Sequence, residues 1–429
     1  MTAAAETAPR GLGERWGFLA VAAGLGLYGL GSYAFINLAG LALGPELFAP
    51  LGIVWTLVNA VGIGLFLPLE QELGRTTASL RARGQGNAAA VRVVLGAGGA
   101  LLATVSVLAL VAWPALTARL LHGYAVLVPL LVASLAAMAV AYAVRGLLAG
   151  NGRYPAYGAQ MAVDGVLRVV GAAVLAGLGV EEVGAYAAVL VVAPLVAVVT
   201  TTRSRGLVLP GRPVERGAVR RAFAMLVVAS LASQVLANIG PVIVQLRALP
   251  EEAADTGQFT AALVIARVPL FVFAAVQAVL LPGLAVLRGR GDMRGFRRRL
   301  VVVTAVTGAL AGVGTVAVWA WGDTLLPLMF GERFEIGRDV ITLIALSGGL
   351  FMLAQVAAQA LLALSGERAV GLGWVVGLAA LVLAALVPGP AVTVGAVALV
   401  VGSAVALLGL TGALLVALRG ATTAEVGHD

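Results

Sequence analysis

Apolar residues follow one another along this chain in twelve runs of about 20 residues, and this pattern limits the fold more than any other feature. A helix needs about 20 consecutive apolar residues to cross the hydrocarbon core of a bilayer. Only 11% of the residues are charged and the mean hydropathy is +1.03, too apolar for one water-soluble globule. The sequence therefore predicts an all-α polytopic membrane protein. The runs cover about 17–43, 50–73, 91–116, 124–148, 157–179, 184–202, 220–246, 257–285, 300–321, 339–364, 369–387 and 391–418.

The residue types that are missing exclude several kinds of chemistry. There is no cysteine, there are two histidines, and all 28 basic residues are arginine. Disulfides, thiolate metal sites, a phosphate-loop lysine and a Schiff-base lysine are excluded. The loops between runs reach about 17 residues, too short to bury a separate soluble core. We expect no cofactor, no metal and no enzymatic activity.

The arginines are distributed unevenly between the two ends of the runs. Both termini and the loops that follow even-numbered runs carry 22 of the 28, whereas the opposite side carries four. This bias places both termini in the bacterial cytoplasm, with the chain in the cytoplasmic membrane. The basic segments 203–221 and 288–299 are then topology signals beside anionic lipid. The expected partner is the bilayer, and no nucleic acid is expected.

An internal repeat divides the chain near its midpoint. Leu67-Pro68 matches Leu281-Pro282, and the segment 145–152 (RGLLAGNG) matches 359–366 (QALLALSG), both at an offset of 214 residues. Six plus six helices of the same orientation imply two lobes related by a pseudo-twofold axis along the membrane normal, with a site between them. The predicted parts are a tail (1–16), an N-terminal lobe (17–202), a linker (203–219), a C-terminal lobe (220–418) and a tail (419–429).

Charged residues inside the predicted fifth and eighth spans need an explanation, because an ion within a bilayer must face a cavity or a partner. Asp164 and Arg168 are four residues apart and share one helix face. They either pair with each other or line a cavity, with Arg168 open to an anion. Arg267 lies about 15 Å from its helix end, with no acid within one turn. It either binds substrate or pairs with Asp164.

The predicted seventh span combines a polar stripe with a helix breaker. Gln234 and Asn238 are one turn apart on one face, which favours a helix that faces water between the lobes. Gly240 and Pro241 follow directly, and a proline removes a backbone hydrogen bond and bends a helix. We expect the two amides to line the cavity and the Gly-Pro pair to act as a hinge. Helix-to-helix packing is the alternative role of such amides.

Glu70 ends the predicted second span, and arginines follow it in the loop. It belongs either to a cytoplasmic ion-pair cluster or to a proton site. Asp164 and Glu70 are the two candidate residues for H⁺ or Na⁺ coupling.

Several short motifs, in order, resemble a known family. They are Leu43–Glu46 (LGPE), 67–75 (LPLEQELGR), 81–86 (RARGQG), 145–150 (RGLLAG), 238–241 (NIGP) and Phe330-Gly331. Their order and topology resemble the bacterial polysaccharide flippases of the multidrug/oligosaccharidyl-lipid/polysaccharide exporter superfamily over nearly the whole chain.

This resemblance implies two six-helix lobes, alternating access and export of a polyprenyl-pyrophosphate-linked glycan. The cationic cavity of the family carries over to Arg168 and Arg267, with Arg145 at the cytoplasmic mouth. Glycosyltransferases and a polymerase of the same pathway are the implied protein partners. The first span has no acidic residue, so the acidic ion site of several drug exporters of the superfamily has no counterpart there.

Three functions compete at this stage. The first is a flippase for a lipid-linked oligosaccharide. The second is an ion-coupled small-molecule antiporter, of the multidrug or the major facilitator type. The third is a membrane glycosyltransferase or glycan polymerase, which requires interfacial carboxylates or a large outer loop that this sequence lacks. The sequence favours the flippase, because its deep ionisable residues suit binding and release better than acid–base catalysis.

Overall fold

The computed structural model describes residues 12–202, 206–211, 215–249, 252 and 254–426, and in that part of the chain every extended element is helical. The helices are α1 (Leu12–Leu57), a π-helix (Val58–Ile63), α2 (Gly64–Ala82), α3 (Ala88–Val111), α4 (Trp113–Arg119), α5 (Leu127–Gly150), α6 (Tyr154–Gly177), α7 (Val183–Thr201), α8 (Arg216–Asn238), α9 (Gly240–Arg247), α10 (Asp255–Ala266), α11 (Val268–Gly289), α12 (Met293–Phe330), α13 (Arg338–Ala363), α14 (Glu367–Ala385) and α15 (Ala391–Val426).

Among the described residues, ten helical stretches are long and apolar enough to cross a membrane, and eleven of the twelve predicted runs, all but the eighth, map onto them. The first stretch, Leu19–Ala82, is 64 residues long, so it holds two crossings. They meet at Gly44, where φ is 69° and ψ is 169°. The eighth predicted run corresponds to α10 and α11 together, which a break divides. The structure is thus the all-α polytopic fold that the sequence predicts.

Two of the predicted runs are broken in the middle, at Ile239 and at Arg267. Ile239 separates α8 from α9, and Arg267 separates α10 from α11. A proline lies in the first turn of each new helix, Pro241 in α9 and Pro269 in α11. Proline is tolerated there because the first backbone N–H groups of a helix have no partner within it. Both breaks lie in the C-terminal half.

The two halves of the chain form two lobes in which the same helix neighbours recur. In the N-terminal lobe (α1 to α7), α6 packs on α1 and α7, and α2 packs on α5. In the C-terminal lobe (α8 to α15), α14 packs on α8 and α15, and α11 packs on α13. Helix α15 continues to Val426, past the predicted end of the last span at 418. Residues 1–11 and 427–429, in the predicted tails, lie outside the described residues.

Glycine pairs bring α1 and α6 into backbone contact. A Cβ on Gly24 would lie 2.2 Å from the carbonyl oxygen of Gly158, and a Cβ on Gly31 would lie 2.4 Å from that of Gly165. No side chain fits at such distances. The two helices are therefore in backbone contact at these two points, about two turns apart.

The lobes touch each other at the face opposite the arginine-rich loops. His122 Nε2, between α4 and α5, lies 2.6 Å from Gln245 Oε1 in α9. Phe48 packs against Phe330 and Phe334, with ring centroids 6.0 and 5.8 Å away. These contacts close the space between the lobes at that face.

Candidate functional site

The N-terminal lobe contains a buried ion pair between neighbouring turns of α6. Arg168 Nε donates to Asp164 Oδ1 at 2.8 Å, and each side chain is only 5% exposed. The guanidinium also donates to the hydroxyls of Ser32 and Tyr28 in α1, at 3.5 and 3.4 Å. Because α1 and α6 are in backbone contact, the Arg168 guanidinium on α6 reaches both hydroxyls on α1. Arg168 is therefore neutralised and hydrogen-bonded within its own lobe.

A second buried ion pair lies in the same lobe. Arg145 Nε in α5 lies 3.0 Å from Glu70 Oε2 in α2. The other Glu70 oxygen accepts a hydrogen bond from the Tyr157 hydroxyl at 2.8 Å. The Arg145 guanidinium stacks 3.9 Å from the centre of the Tyr142 ring, in cation–π geometry. Tyr28 lies beside both pairs, 5.8 Å from Arg145 and 4.9 Å from Arg168. These residues form what we call the N-lobe centre.

Three expectations about these residues need correction. Arg168 is not an open cation on a cavity wall, because it forms an ion pair with Asp164. Arg145 does not lie at an open mouth but is 3% exposed. Glu70 does not join the arginines of the following loop, because Arg145 lies closer in space. Glu72 is the residue that pairs with one of these arginines, Arg75, which lies one turn further along α2 at 2.8 Å.

The C-terminal lobe has a different polar centre, at the two helix breaks. Arg267, the residue that separates α10 from α11, donates from Nη1 to Asn238 Oδ1 at 2.6 Å. Asn238 is the last residue of α8, and its amide nitrogen donates to the carbonyl oxygen of Gln234 at 2.8 Å. The breaks of two neighbouring helices thus face each other through one charged hydrogen bond. Arg267, Asn238 and Gln234 form what we call the C-lobe centre.

No carboxylate pairs with Arg267 among the described residues. Arg267 ends α10, and α10 packs on α1 of the other lobe. On the C-lobe side, Arg267 borders a small cavity of about 10 Å³ that Ser347 and Ser403 also line. That is roughly the volume one water molecule requires. Within the described part of the chain, Arg267 is therefore a positive charge without a carboxylate partner, at the end of a helix that packs across the boundary between the lobes.

The structure brings some of the predicted site residues together and separates others. Gln234, Asn238 and Arg267 meet, and the helix breaks directly before Gly240-Pro241. Arg168 lies in the other lobe and makes no contact with Arg267 in the part of the chain that the structure describes. The alternative pairing of Arg267 with Asp164 is wrong, since Asp164 binds Arg168. A shared cavity lined by both arginines is not what the geometry shows.

The sequence-based list omits the hydroxyl and aromatic residues around the buried pairs. Tyr28 and Ser32 are one turn apart on α1, and Tyr142 is three residues before Arg145. Such spacing puts them on one face of a helix, and this spacing is a signal by which the sequence could have indicated them. It stayed ambiguous because an isolated tyrosine in an apolar helix equally suits a membrane interface. In the described residues, no group of His, Asp and Glu side chains could hold a metal ion.

Comparison with other sequences gives relatives without an assigned function. No family model matches the chain. Uncharacterized proteins of Mycobacterium bovis and Mycobacterium tuberculosis are 28% identical over 361 residues, which cover 80% of this chain and 79% of theirs. A second uncharacterized protein of Mycobacterium tuberculosis is 29% identical over 274 residues, 61% of this chain and 60% of its own.

Comparison with solved structures gives a consistent fold. A multidrug resistance MATE family transporter of the MOP superfamily, in an inward-facing conformation, superposes with a TM-score of 0.67 at 13% identity, covering 93% of this chain and 96% of its own. A MOP superfamily transporter from Pyrococcus furiosus gives 0.66 at 13% identity, with 96% and 97% coverage. A MATE transporter of Vibrio cholerae gives 0.64 at 17%, with 95% and 97% coverage. The chain has the two-lobed fold of these transporters. The comparison does not distinguish the polysaccharide flippases within the superfamily.

Proposed function

We propose that this protein is an alternating-access exporter that moves a polyprenyl-pyrophosphate-linked oligosaccharide across the bacterial cytoplasmic membrane for surface polysaccharide assembly, with both termini cytoplasmic. The fold supports a transporter, because its structural neighbours are transporters. The observation that carries the anionic substrate is that Arg267 has no carboxylate partner among the described residues.

The chemistry of Arg267 suits a pyrophosphate. A phosphate that enters a bilayer loses its hydration at a large cost in free energy. A guanidinium is permanently charged and presents a planar fork of donors that matches phosphate oxygens. Among the described residues, one Arg267 donor makes a hydrogen bond, to Asn238. The remaining donors are the groups that we assign to the substrate anion.

The other residues of the C-lobe centre take supporting roles in this proposal. Asn238 orients Arg267 from the end of α8, and Gln234 orients Asn238. These amides also supply partners for sugar hydroxyls when the lobes separate. Gly240 and Pro241 are the hinge, since a break one residue before them lets α8 and α9 move separately. Glycosyltransferases and a polymerase of the same pathway are the proposed protein partners.

Coupling to H⁺ or Na⁺ is assigned to the N-lobe centre. Asp164 and Glu70 are its carboxylates, and each is bound to an arginine. A proton or sodium ion competes with that arginine, so coupling requires the ion pair to open during the cycle. Tyr28, which lies beside both guanidiniums, links the two pairs. A change at one carboxylate therefore alters the surroundings of the other.

A second candidate function is an ion-coupled multidrug antiporter. The solved structures with this fold favour it, because several are described as multidrug transporters. The charge of the C-lobe centre argues against cationic drugs. The polarity of the pocket is informative within this fold, since the Pyrococcus furiosus transporter is described as having a reversed pocket polarity that suggests a different function.

Transport in reconstituted vesicles tests both candidates. We expect movement of a fluorescent lipid-linked oligosaccharide and no ion-driven accumulation of a cationic dye. Arg267→Gln should lower the glycan rate at least tenfold, because one charge-assisted contact to phosphate is worth about 1.5–3 kcal/mol. Arg267→Lys should recover part of the rate. Dye transport without glycan movement, in protein of unchanged thermal stability, would favour the antiporter and refute the flippase.

A further inference from the structure

An apolar groove runs down the outer side of the C-terminal lobe, between α12, α13 and α15. Its volume is about 900 Å³. Each helix contributes residues at helical spacing, for example Leu300, Val301 and Thr304 on α12. The groove thus runs between three helices, and its lining includes no residue of either polar centre.

The length of this groove matches one leaflet of a membrane. Along α15 its lining begins at Leu407 and ends at Arg419. Twelve residues of α-helix extend about 18 Å, and half of a hydrocarbon core is about 15 Å. Its wall is open to the surroundings, since Leu408 is 72% and Leu415 51% exposed. A single acyl chain that stands upright in one leaflet therefore fits along it.

Two arginines stand at the end of the groove that lies on the arginine-rich face. They are Arg297, in the first turns of α12, and Arg419, near the end of α15. Arg297 Nη2 donates to the carbonyl oxygen of Leu418 at 3.3 Å, which holds its guanidinium beside α15. The rest of the lining is apolar except for Thr304 and Thr411. Charge is therefore confined to one end of an apolar channel.

We propose that this groove binds one anionic phospholipid, with its phosphate on Arg297 and Arg419 and an acyl chain along α12 and α15. Basic pockets between membrane helices on a cytoplasmic face bind anionic head groups. The ligand is a component of the surrounding leaflet, separate from the exported substrate. The site does not depend on the proposed function, since neither polar centre contributes to it.

The N-terminal lobe supplies an internal comparison. A second apolar pocket lies between α6 and α7, with a volume of about 390 Å³, and its lining holds no charged residue. It can accept an acyl chain but offers nothing to a phosphate. Of these two pockets, only the groove with Arg297 and Arg419 at its end is therefore expected to prefer anionic lipid.

Native mass spectrometry of the purified full-length protein tests the proposal. Phosphatidylglycerol and phosphatidylcholine of identical chains are titrated separately, and phosphatidylglycerol should bind more tightly. Arg297→Gln should weaken its binding about fivefold, and Arg297→Gln with Arg419→Gln about 30-fold. The matched control is Arg298→Gln, which removes the same charge from the next, exposed position outside the groove. Equal loss in the control, or equal binding of both lipids, would overturn the proposal.

A second pair of variants tests the apolar part without changing charge. Ala305→Phe fills the groove and should reduce bound phosphatidylglycerol, whereas Ala309→Phe, one turn further along α12 and outside the lining, should not. Unchanged binding in Ala305→Phe would show that no chain enters the groove. A polyprenyl phosphate of the same concentration is the competitor. If it displaces phosphatidylglycerol from the wild type completely, the groove belongs to an isoprenoid and the proposal is wrong.

Discussion

Two polar centres lie in the membrane-spanning part of the protein, one in each lobe, and they differ in how charge is balanced. In the N-lobe centre, Arg145 and Arg168 each have a carboxylate, and tyrosines surround the pairs. In the C-lobe centre, Arg267 has an amide and lies at a helix break. A buried pair is costly to break, because one charge is left without a partner. The N-lobe centre ties the helices of its lobe together through ion pairs, whereas in the proposed function the C-lobe centre binds the anion.

The largest expected effect comes from breaking a pair in the N-lobe centre. Asp164→Asn leaves the Arg168 guanidinium buried without its counter-charge, which should lower the free energy of unfolding by about 3–5 kcal/mol. Chemical unfolding of the protein in detergent, followed by tryptophan fluorescence, measures it.

The matched control is Asp323→Asn, which breaks an ion pair with Arg338 whose side chains are half exposed. Such pairs are worth about 0–1 kcal/mol. If both variants lose the same stability, burial does not distinguish the pairs and the comparison between centres fails. The double variant Asp164→Asn with Arg168→Gln should regain part of the loss, since no charge is then stranded.

A smaller effect is expected from the helix contact that supports the N-lobe centre. A Cβ on Gly165 would lie 2.4 Å from the carbonyl oxygen of Leu27, so Gly165→Ala forces α1 and α6 apart. Overpacking of this kind costs about 1–3 kcal/mol, and thermal unfolding should show it. Gly96→Ala on α3 is the control, because no atom lies within 4 Å of its Cβ position. It should stabilise the helix by up to about 1 kcal/mol; a loss equal to that of Gly165→Ala would show that the contact does not matter.

The smallest expected change in stability comes from giving the C-lobe centre a carboxylate. Asn238→Asp places an acid beside Arg267 and should raise the free energy of unfolding by about 1 kcal/mol, through a stronger charge-assisted contact. It should also suppress transport of a lipid-linked oligosaccharide, since the new carboxylate occupies Arg267. Asn238→Ala removes the amide without neutralising the charge, so it should lose about 1 kcal/mol and slow transport less than Asn238→Asp does. Full transport by Asn238→Asp would contradict the anion-binding role of Arg267.

The twelve crossings and the break near Pro241 could be predicted because their causes are local in the sequence. Hydrophobic runs of bilayer length act within about 20 residues, and a proline acts on its own helix turn. The break at Arg267 had a similar signal in Pro269, two residues further on, which the first turn of α11 accommodates. The depth of Arg267 in its predicted span led to a prediction about its charge and not to a prediction of a helix break.

The partners of the charged residues could not be predicted, because they depend on which helices meet. Glu70 and Arg145 are 75 positions apart and pair only because α2 packs on α5. Asp164 had two candidate partners, Arg168 one turn away and Arg267 in another helix. The sequence alone does not indicate which of the two it binds. Arg267 meets Asn238 only because the end of α10 lies beside the end of α8.

The glycine contacts between α1 and α6 have a mechanical consequence. Helices joined backbone to backbone tilt together, so α1 acts as the arm of a lever that ends at the joint at Gly44. From Gly31 this arm is about 20 Å long at 1.5 Å per residue, and a tilt of about 10° moves its tip by about 3 Å. At the tip, the carbonyl of Pro45 lies against Gly257 at the start of α10, where even a Cβ would come within 2.1 Å. Helix α10 ends at Arg267, so close backbone contacts connect the ion pair of the N-lobe centre, through α1, with the arginine of the C-lobe centre.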